Sequence, residues 1–197
     1  MSKMEAKREL KRQAILEAAE QAFLTDGYSD ANMDAIAAQA GVTKQTVYRY
    51  YPSKADLFRE TLKAMGARHD DGASDLLDLP DTQEALRCFA ISFMQAHLSK
   101  EHLCTFRLLV SESVRAPEMI QAFFSVGPAG TEERLRRFFT ERLHIQEPAP
   151  MIRLWTAMLF AFQDEALLDV HHPTKAELEE HATRATQVFL SGVTAQS

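Results

Sequence analysis

Apolar positions recur along this chain at helical spacing, with polar residues filling the gaps. Ile15, Ala18, Ala19, Ala22 and Phe23 stand at i, i+3, i+4, i+7 and i+8, which makes one apolar face of a helix over residues 5–25. Gly27 follows its last turn, where a left-handed residue can close a helix. Asn32 can cap a short second helix in which Met33, Ile36, Ala37 and Ala40 repeat the spacing, and Gly41 breaks it. A third helix is predicted from about Thr43 to Tyr50. It stops before Pro52, because the residue preceding a proline is pushed out of the helical region.

Ser53 and Asp56 open a fourth helix, with Asp standing where a capping box has Glu or Gln, and Leu57, Phe58, Leu62 and Met65 form its stripe. It runs toward Asp70-Asp71-Gly72. Further helices are predicted over 82–99, 103–114, 117–142 with a kink at Gly127-Pro128, 150–169 and 174–193. Asp81 with Glu84 and Thr174 with Glu177 are start signals, and Pro117, Pro148, Pro150 and Pro173 mark breaks. No stretch sustains period-2 alternation, so the fold class is all-α, with about nine helices in total.

Composition changes this picture little. Hydrophobic residues make up 46% and charged residues 25% of the 197, the values of an ordinary globular chain. The N-terminus has no apolar run behind its basic residues, which is unlike a signal peptide, and the apolar stretch around Leu154 to Phe162 is too short to span a bilayer. A cytoplasmic protein without a membrane partner is expected, with Cys88 and Cys104 as reduced thiols. The His171-His172 and His97–His102 spacings do not suit a metal on one helix face, and no metal or other cofactor is expected.

Charge distribution matters more. The net charge of −6 argues against nucleic acid, yet residues 1–60 hold nine Lys and Arg against nine Asp and Glu, so the whole excess lies downstream. Lys3, Lys7, Arg8, Lys11 and Arg12 cluster at the start of this neutral segment, and Lys44, Arg49 and Lys54 at its end. A locally basic surface on an acidic protein can bind phosphates.

The candidate chemistry lies between those clusters. Residues 33–50 combine a short helix, a tight turn containing Gly41 and a second short helix, the form of a DNA-reading helix-turn-helix. Ala37 and Ala40 let the helices approach, and Val42 and Val47 supply the apolar contacts that set their crossing. Thr43, Lys44, Gln45, Thr46, Tyr48 and Arg49 remain on the outer face. Lys can reach guanine O6 or N7, Gln can bond adenine bidentately, and a Thr methyl can touch a thymine methyl. Tyr48, Arg49 and Lys54 can reach phosphates. Spacing alone is equally compatible with a plain helical hairpin.

The run from Ala40 through Gly41-Val42-Thr43-Lys44-Gln45-Thr46-Val47-Tyr48-Arg49-Tyr50-Tyr51-Pro52-Ser53-Lys54 to Phe58 closely resembles the signature of the TetR family of bacterial regulators. The match extends upstream through Phe23, Gly27, Tyr28 and Ile36-Ala37, and covers roughly the first 60 residues. The resemblance implies a three-helix DNA-binding head over 1–52 and a helical body over 53–197 that dimerises and binds an effector. It also implies that Lys44, Gln45, Thr46 and Tyr48 face DNA and that Lys54 meets a phosphate. Many members have Gly where Gln45 stands, so the operator cannot be borrowed from relatives.

In the body, Leu178, Ala182, Ala185, Phe189 and Gly192 alternate spacings of four and three, a coiled-coil-like seam. The preceding helix is apolar on nearly every side from Met151 to Phe162. Met151, Leu154 and Met158 are therefore paired with Leu178, Ala182, Ala185 and Phe189 as a homodimer interface, a four-helix bundle resembling the family's dimer. The alternative is packing of the seam within one chain. Two symmetric heads would read an inverted repeat.

Ten of the 12 Phe lie beyond residue 60. Phe89, Phe93, His97, Phe106, Arg107, Phe123, Trp155 and Phe162 are the candidate lining of a cavity for an apolar or amphipathic effector, although most aromatic residues there serve as plain core. Glu112, Arg153, Gln163 and Glu165 are further polar candidates within apolar stretches. A phosphate loop, a nucleophile elbow and a His-Glu-x-x-His pattern are all absent, so an enzyme is not expected. The reading is a DNA-binding transcriptional regulator, a repressor released by its ligand. The rival is an interaction module with the same fold that has lost DNA binding.

Overall fold

The computed structural model describes residues 2–68, 73–126 and 129–194. Among them are eleven α-helices: α1 (Lys3–Asp26), α2 (Met33–Gln39), α3 (Lys44–Tyr50), α4 (Lys54–Arg68), α5 (Thr82–His97), α6 (Lys100–Glu112), α7 (Pro117–Val126), α8 (Ala129–Arg142), α9 (Pro148–Leu159), α10 (Gln163–Leu167) and α11 (Lys175–Thr194). A 3-10 helix, Ala73–Asp78, precedes α5. The helix predicted over 117–142 is two helices, and the kink expected at Gly127-Pro128 lies outside the described residues. The helix predicted over 150–169 is also two, because α9 ends at Phe160, whose N–H bonds the carbonyl of Ala157 in a 3-10-type turn. The count expected from the sequence is therefore low by two.

Starts are written locally, and α1 begins at Lys3 where residue 5 was expected. Ser2 and Glu5 form a capping box on α1, with Ser2 N–H donating to the Glu5 carboxylate at 2.6 Å. Asp81 accepts from Glu84 N–H at 2.7 Å, and Thr174 and Glu177 cap α11 reciprocally. At α4 the Ser53 hydroxyl accepts from Asp56 N–H and donates to the Asp56 carboxylate at 2.6 Å, so the shorter Asp side chain closes on the cap hydroxyl and not on its backbone N–H.

The chain forms two compact units. The first comprises Met1–His69 and Cys104–Gly127. In it α4 packs on α1 and α7, and α2 packs on both α1 and α3. The α1 stripe of Ile15, Ala18, Ala19 and Phe23 is buried. Phe23, Tyr28 and Phe58 meet as a cluster of rings with centroids 5.2–5.7 Å apart. Each such ring contributes about 1.5–3 kcal/mol by leaving water. The units do not divide at residue 52: α4, α7 and most of α6 lie with the head.

The second unit comprises Asp70–Leu103 and Pro128–Ser197. Here α11 packs along α5 and α9, and α8 packs on α9. Trp155, Phe89 and Phe139 are fully buried at its centre, and Phe189 closes on Phe139 at 5.3 Å.

Candidate nucleic-acid interface

The helix-turn-helix is built by its turn. Ala40 caps α2, and Gly41 takes φ +65, a conformation that other residues adopt at a cost. The N–H of Val42 bonds the carbonyl of Ala37 at 3.0 Å, and that of Gly41 bonds Ala38 at 3.1 Å. This is a Schellman closure, which satisfies two carbonyls that the end of a helix leaves unpaired. Thr43 then caps α3, its hydroxyl accepting from Thr46 N–H at 3.2 Å. Val47 and Ile36 are fully buried at the junction, which fixes α3 against the rest of the head.

That anchoring decides what faces outward. Thr43, Lys44, Gln45, Tyr48 and Arg49 are exposed, and Thr46 is half-buried with its hydroxyl 2.9 Å from that of Thr43. The Lys44 ammonium pairs with Asp34 on α2 at 2.9 Å and lies 6.0 Å from the Tyr48 ring centroid. The Asp34 carboxylate raises the Lys44 pKa, keeping the side chain cationic. The Arg49 guanidinium lies 5.7 Å from the ring of Tyr50, which spacing marked only as the end of the helix. Tyr50 lines a surface cleft with Arg12, Tyr51 and Arg59.

Lys54 has a bracing role besides the phosphate contact expected of it. Its ammonium is turned into the head, donating to the carbonyls of Ser29 at 2.9 Å and Ala31 at 3.1 Å. It also lies 4.9 Å from the Tyr28 ring. Two of its three donors therefore brace the α1–α2 loop, leaving one for a phosphate.

The residues expected to line one effector cavity fall into two groups. Phe106, Arg107 and Phe123 belong to the first unit, where Phe106 and Phe123 pack against the core of the head and Arg107 is exposed. Phe89, Phe93, His97, Trp155 and Phe162 belong to the second. There Phe93 stacks on His97 with centroids 3.9 Å apart, and Phe89 lies 5.8 Å from Trp155. Phe162 contacts His181 instead, at 5.2 Å. Trp155 Nε1 and Thr186 Oγ1 are buried there without a hydrogen-bond partner. Among the described residues no group of three His, Cys, Asp or Glu is placed to hold a metal ion.

The seam assigned to a dimer is corrected. Leu178, Ala182, Ala185 and Phe189 are buried in the chain's own core, because α5 and α9 cover that face of α11. Met151 and Met158 are half-buried against the same core. Leu154 on α9 and Val188 on α11 point outward, at 60% and 59% exposure.

A rigid helical pair with a cationic, hydrogen-bonding outer face defines a helix-turn-helix DNA-binding protein. Comparison with known proteins narrows the class. Residues 15–61 match the family model described as bacterial regulatory proteins of the tetR family. Residues 84–192 match the C-terminal domain of AefR-like transcriptional repressors. The chain is 31% identical over 135 residues to the HTH-type transcriptional repressor LfrR of Mycolicibacterium smegmatis, covering 68% of each chain. It is 38% identical over 72 residues to the DNA-binding transcriptional repressor TetR of Mycobacteroides abscessus, a match spanning 36% of this chain and 38% of that relative. Among solved structures, a TetR-family regulator from Mesorhizobium loti superposes with a TM-score of 0.76 at 25% identity, covering 92% of this chain and 96% of the other. The flavonoid-responsive regulator FrrA superposes at 0.74 with 28% identity, with the same two coverages. The chain belongs to the TetR family and is a DNA-binding transcriptional regulator. Among the described residues no helix is long and apolar enough to cross a membrane.

Proposed function

We propose that this regulator is a cytoplasmic repressor that binds an inverted-repeat operator as a homodimer and leaves it when a small aromatic effector binds. The observation that carries the reading is the outer face of α3. Lys44, Gln45 and Tyr48 are held there by caps at both ends of the turn and by buried Val47. Lys44 and Gln45 serve as base readers, and Tyr48 and Arg49 as phosphate contacts. Lys54 supplies its remaining donor to a phosphate while bracing the loop.

Dimerisation uses the outer faces of α9 and α11, through Leu154 and Val188. The effector enters the aromatic region of the second unit, around Phe89, Phe93, His97 and Trp155. Trp155 Nε1 can only donate, so an effector reaching it carries an acceptor oxygen. The 28%-identical relative is flavonoid-responsive, which supports a flat aromatic molecule bearing such oxygens.

The test is selection of bound fragments from random DNA at fixed salt, repeated with the double variant Lys44→Ala/Tyr48→Ala. An inverted repeat recovered by the parent and lost by the variant is expected. Equal recovery by both would remove α3 from the reading. Adding a flavonoid to the recovered complex then tests release.

A further inference from the structure

The loop between α1 and α2 is tied to three other helices of its unit. Lys54 of α4 holds the carbonyls of Ser29 and Ala31. Tyr28 is buried between Phe23 and Phe58. Its hydroxyl pKa is driven up, first by burial and then by the negative charge of the Glu118 carboxylate on α7. The third tie comes from the last residue of α6. The carboxylate of Glu112 accepts a hydrogen bond from the Ser29 hydroxyl, across 83 positions of sequence.

Among the described residues Glu112 is the only charged one that is buried, with 7% exposure. Burying a carboxylate is costly, and core stability alone would favour an apolar residue of similar volume. The backbone also makes room for it. A Cβ on Gly27 would stand 3.0 Å from Glu112 Oε1, and Gly27 has φ +84. Three residues beyond Ser29, Asn32 caps α2 by accepting from Asp34 N–H at 2.8 Å. From there the Schellman turn and buried Val47 carry position on to α3 without a flexible link.

We propose that Glu112 is a positioning residue for operator binding: acting through Ser29, it sets the α1–α2 loop and with it the pose of the recognition helix relative to α6. This rests on α3 being the DNA-facing helix. Segment Cys104–Gly127 thereby takes part in DNA recognition while touching no DNA.

The experiment uses the full chain and the selected operator, with affinity read by fluorescence anisotropy at several salt concentrations. The variants are Ser29→Ala, Glu112→Ala, their double, and Glu112→Gln. Each single alanine variant is expected to weaken operator binding about tenfold, the scale of one hydrogen bond to a charged group. The double is expected to be no weaker than the worse single, because the two side chains act as one unit. Glu112→Gln keeps an acceptor oxygen for Ser29 and should return to within about threefold of the parent. The salt slope stays unchanged, since no phosphate contact is lost.

Additive losses, unchanged affinity in Ser29→Ala, or a reduced salt slope would each overturn the proposal. Hydrogen exchange on the free Ser29→Ala protein gives a reading independent of any operator. Faster exchange through residues 27–40 with the protection of α11 retained supports the tie, and unchanged protection there overturns it.

Discussion

Gly27 and Gly41 both stand at positive φ, and their surroundings separate them. At Gly41 an added Cβ meets nothing within 4 Å, so Gly41→Ala should cost only the left-handed penalty, about 1–2 kcal/mol. Gly27 has φ 84 and ψ 165, a region essentially restricted to glycine, and its Cβ would press on Glu112. Gly27→Ala should therefore cost about 3 kcal/mol, adding a displaced carboxylate to the strain. Urea unfolding of the two variants checks the order, and equal costs would mean that neither the backbone of Gly27 nor Glu112 resists the added Cβ. Helix starts were legible from the chain because capping chemistry acts over two or three residues, as at Asn32, Asp81 and Thr174. The bracing role of Lys54 was not legible, because the carbonyls it holds lie 23 and 25 residues away and leave no local trace.

Among the helices, α5 and α6 offer a pH-dependent element. His102 is pushed down to about 4, first by burial and then by His97, whose ring centroid is 4.7 Å away. His97 is also lowered by burial, against a bond to the Phe93 carbonyl that raises it. Above the ordinary imidazole value both rings are neutral, folded or unfolded, and contribute no pH dependence. As pH falls from about 6.5 toward 4, the unfolded chain takes up protons that the folded chain refuses, so stability is lost in that window. At pH 5 the loss from His102 should be on the order of 1–2 kcal/mol, allowing for its partial exposure. His102→Gln should narrow the gap between the pH 7 and pH 5 urea midpoints, and an unchanged gap would place the sensitivity elsewhere. The break between α9 and α10 had no proline or glycine to announce it, and the apolar pattern ran through Phe160-Ala161-Phe162 unchanged. The seam on α11 was legible as apolar, but its partner was not. Spacing shows that a face must be covered, and α5 and α9 cover it within the chain.

At the scale of the whole molecule, assembly rests on what the core leaves outside. Leu154→Lys combined with Val188→Lys should convert the proposed dimer to monomer in sedimentation, with operator affinity falling at least tenfold as the second half-site is lost. A variant that remains dimeric would move the interface to another surface. The all-α class, the helix starts and the outward face of α3 were readable from the chain, because periodicity, capping and turn chemistry are set by neighbours a few residues apart. Which polar groups meet was decided by tertiary structure alone. Glu112 and Ser29 are 83 residues apart, Phe106 and Trp155 fall in different compact units, and Leu178 faces inward. Long-range packing chooses among many chemically equivalent partners, and no local pattern encodes that choice.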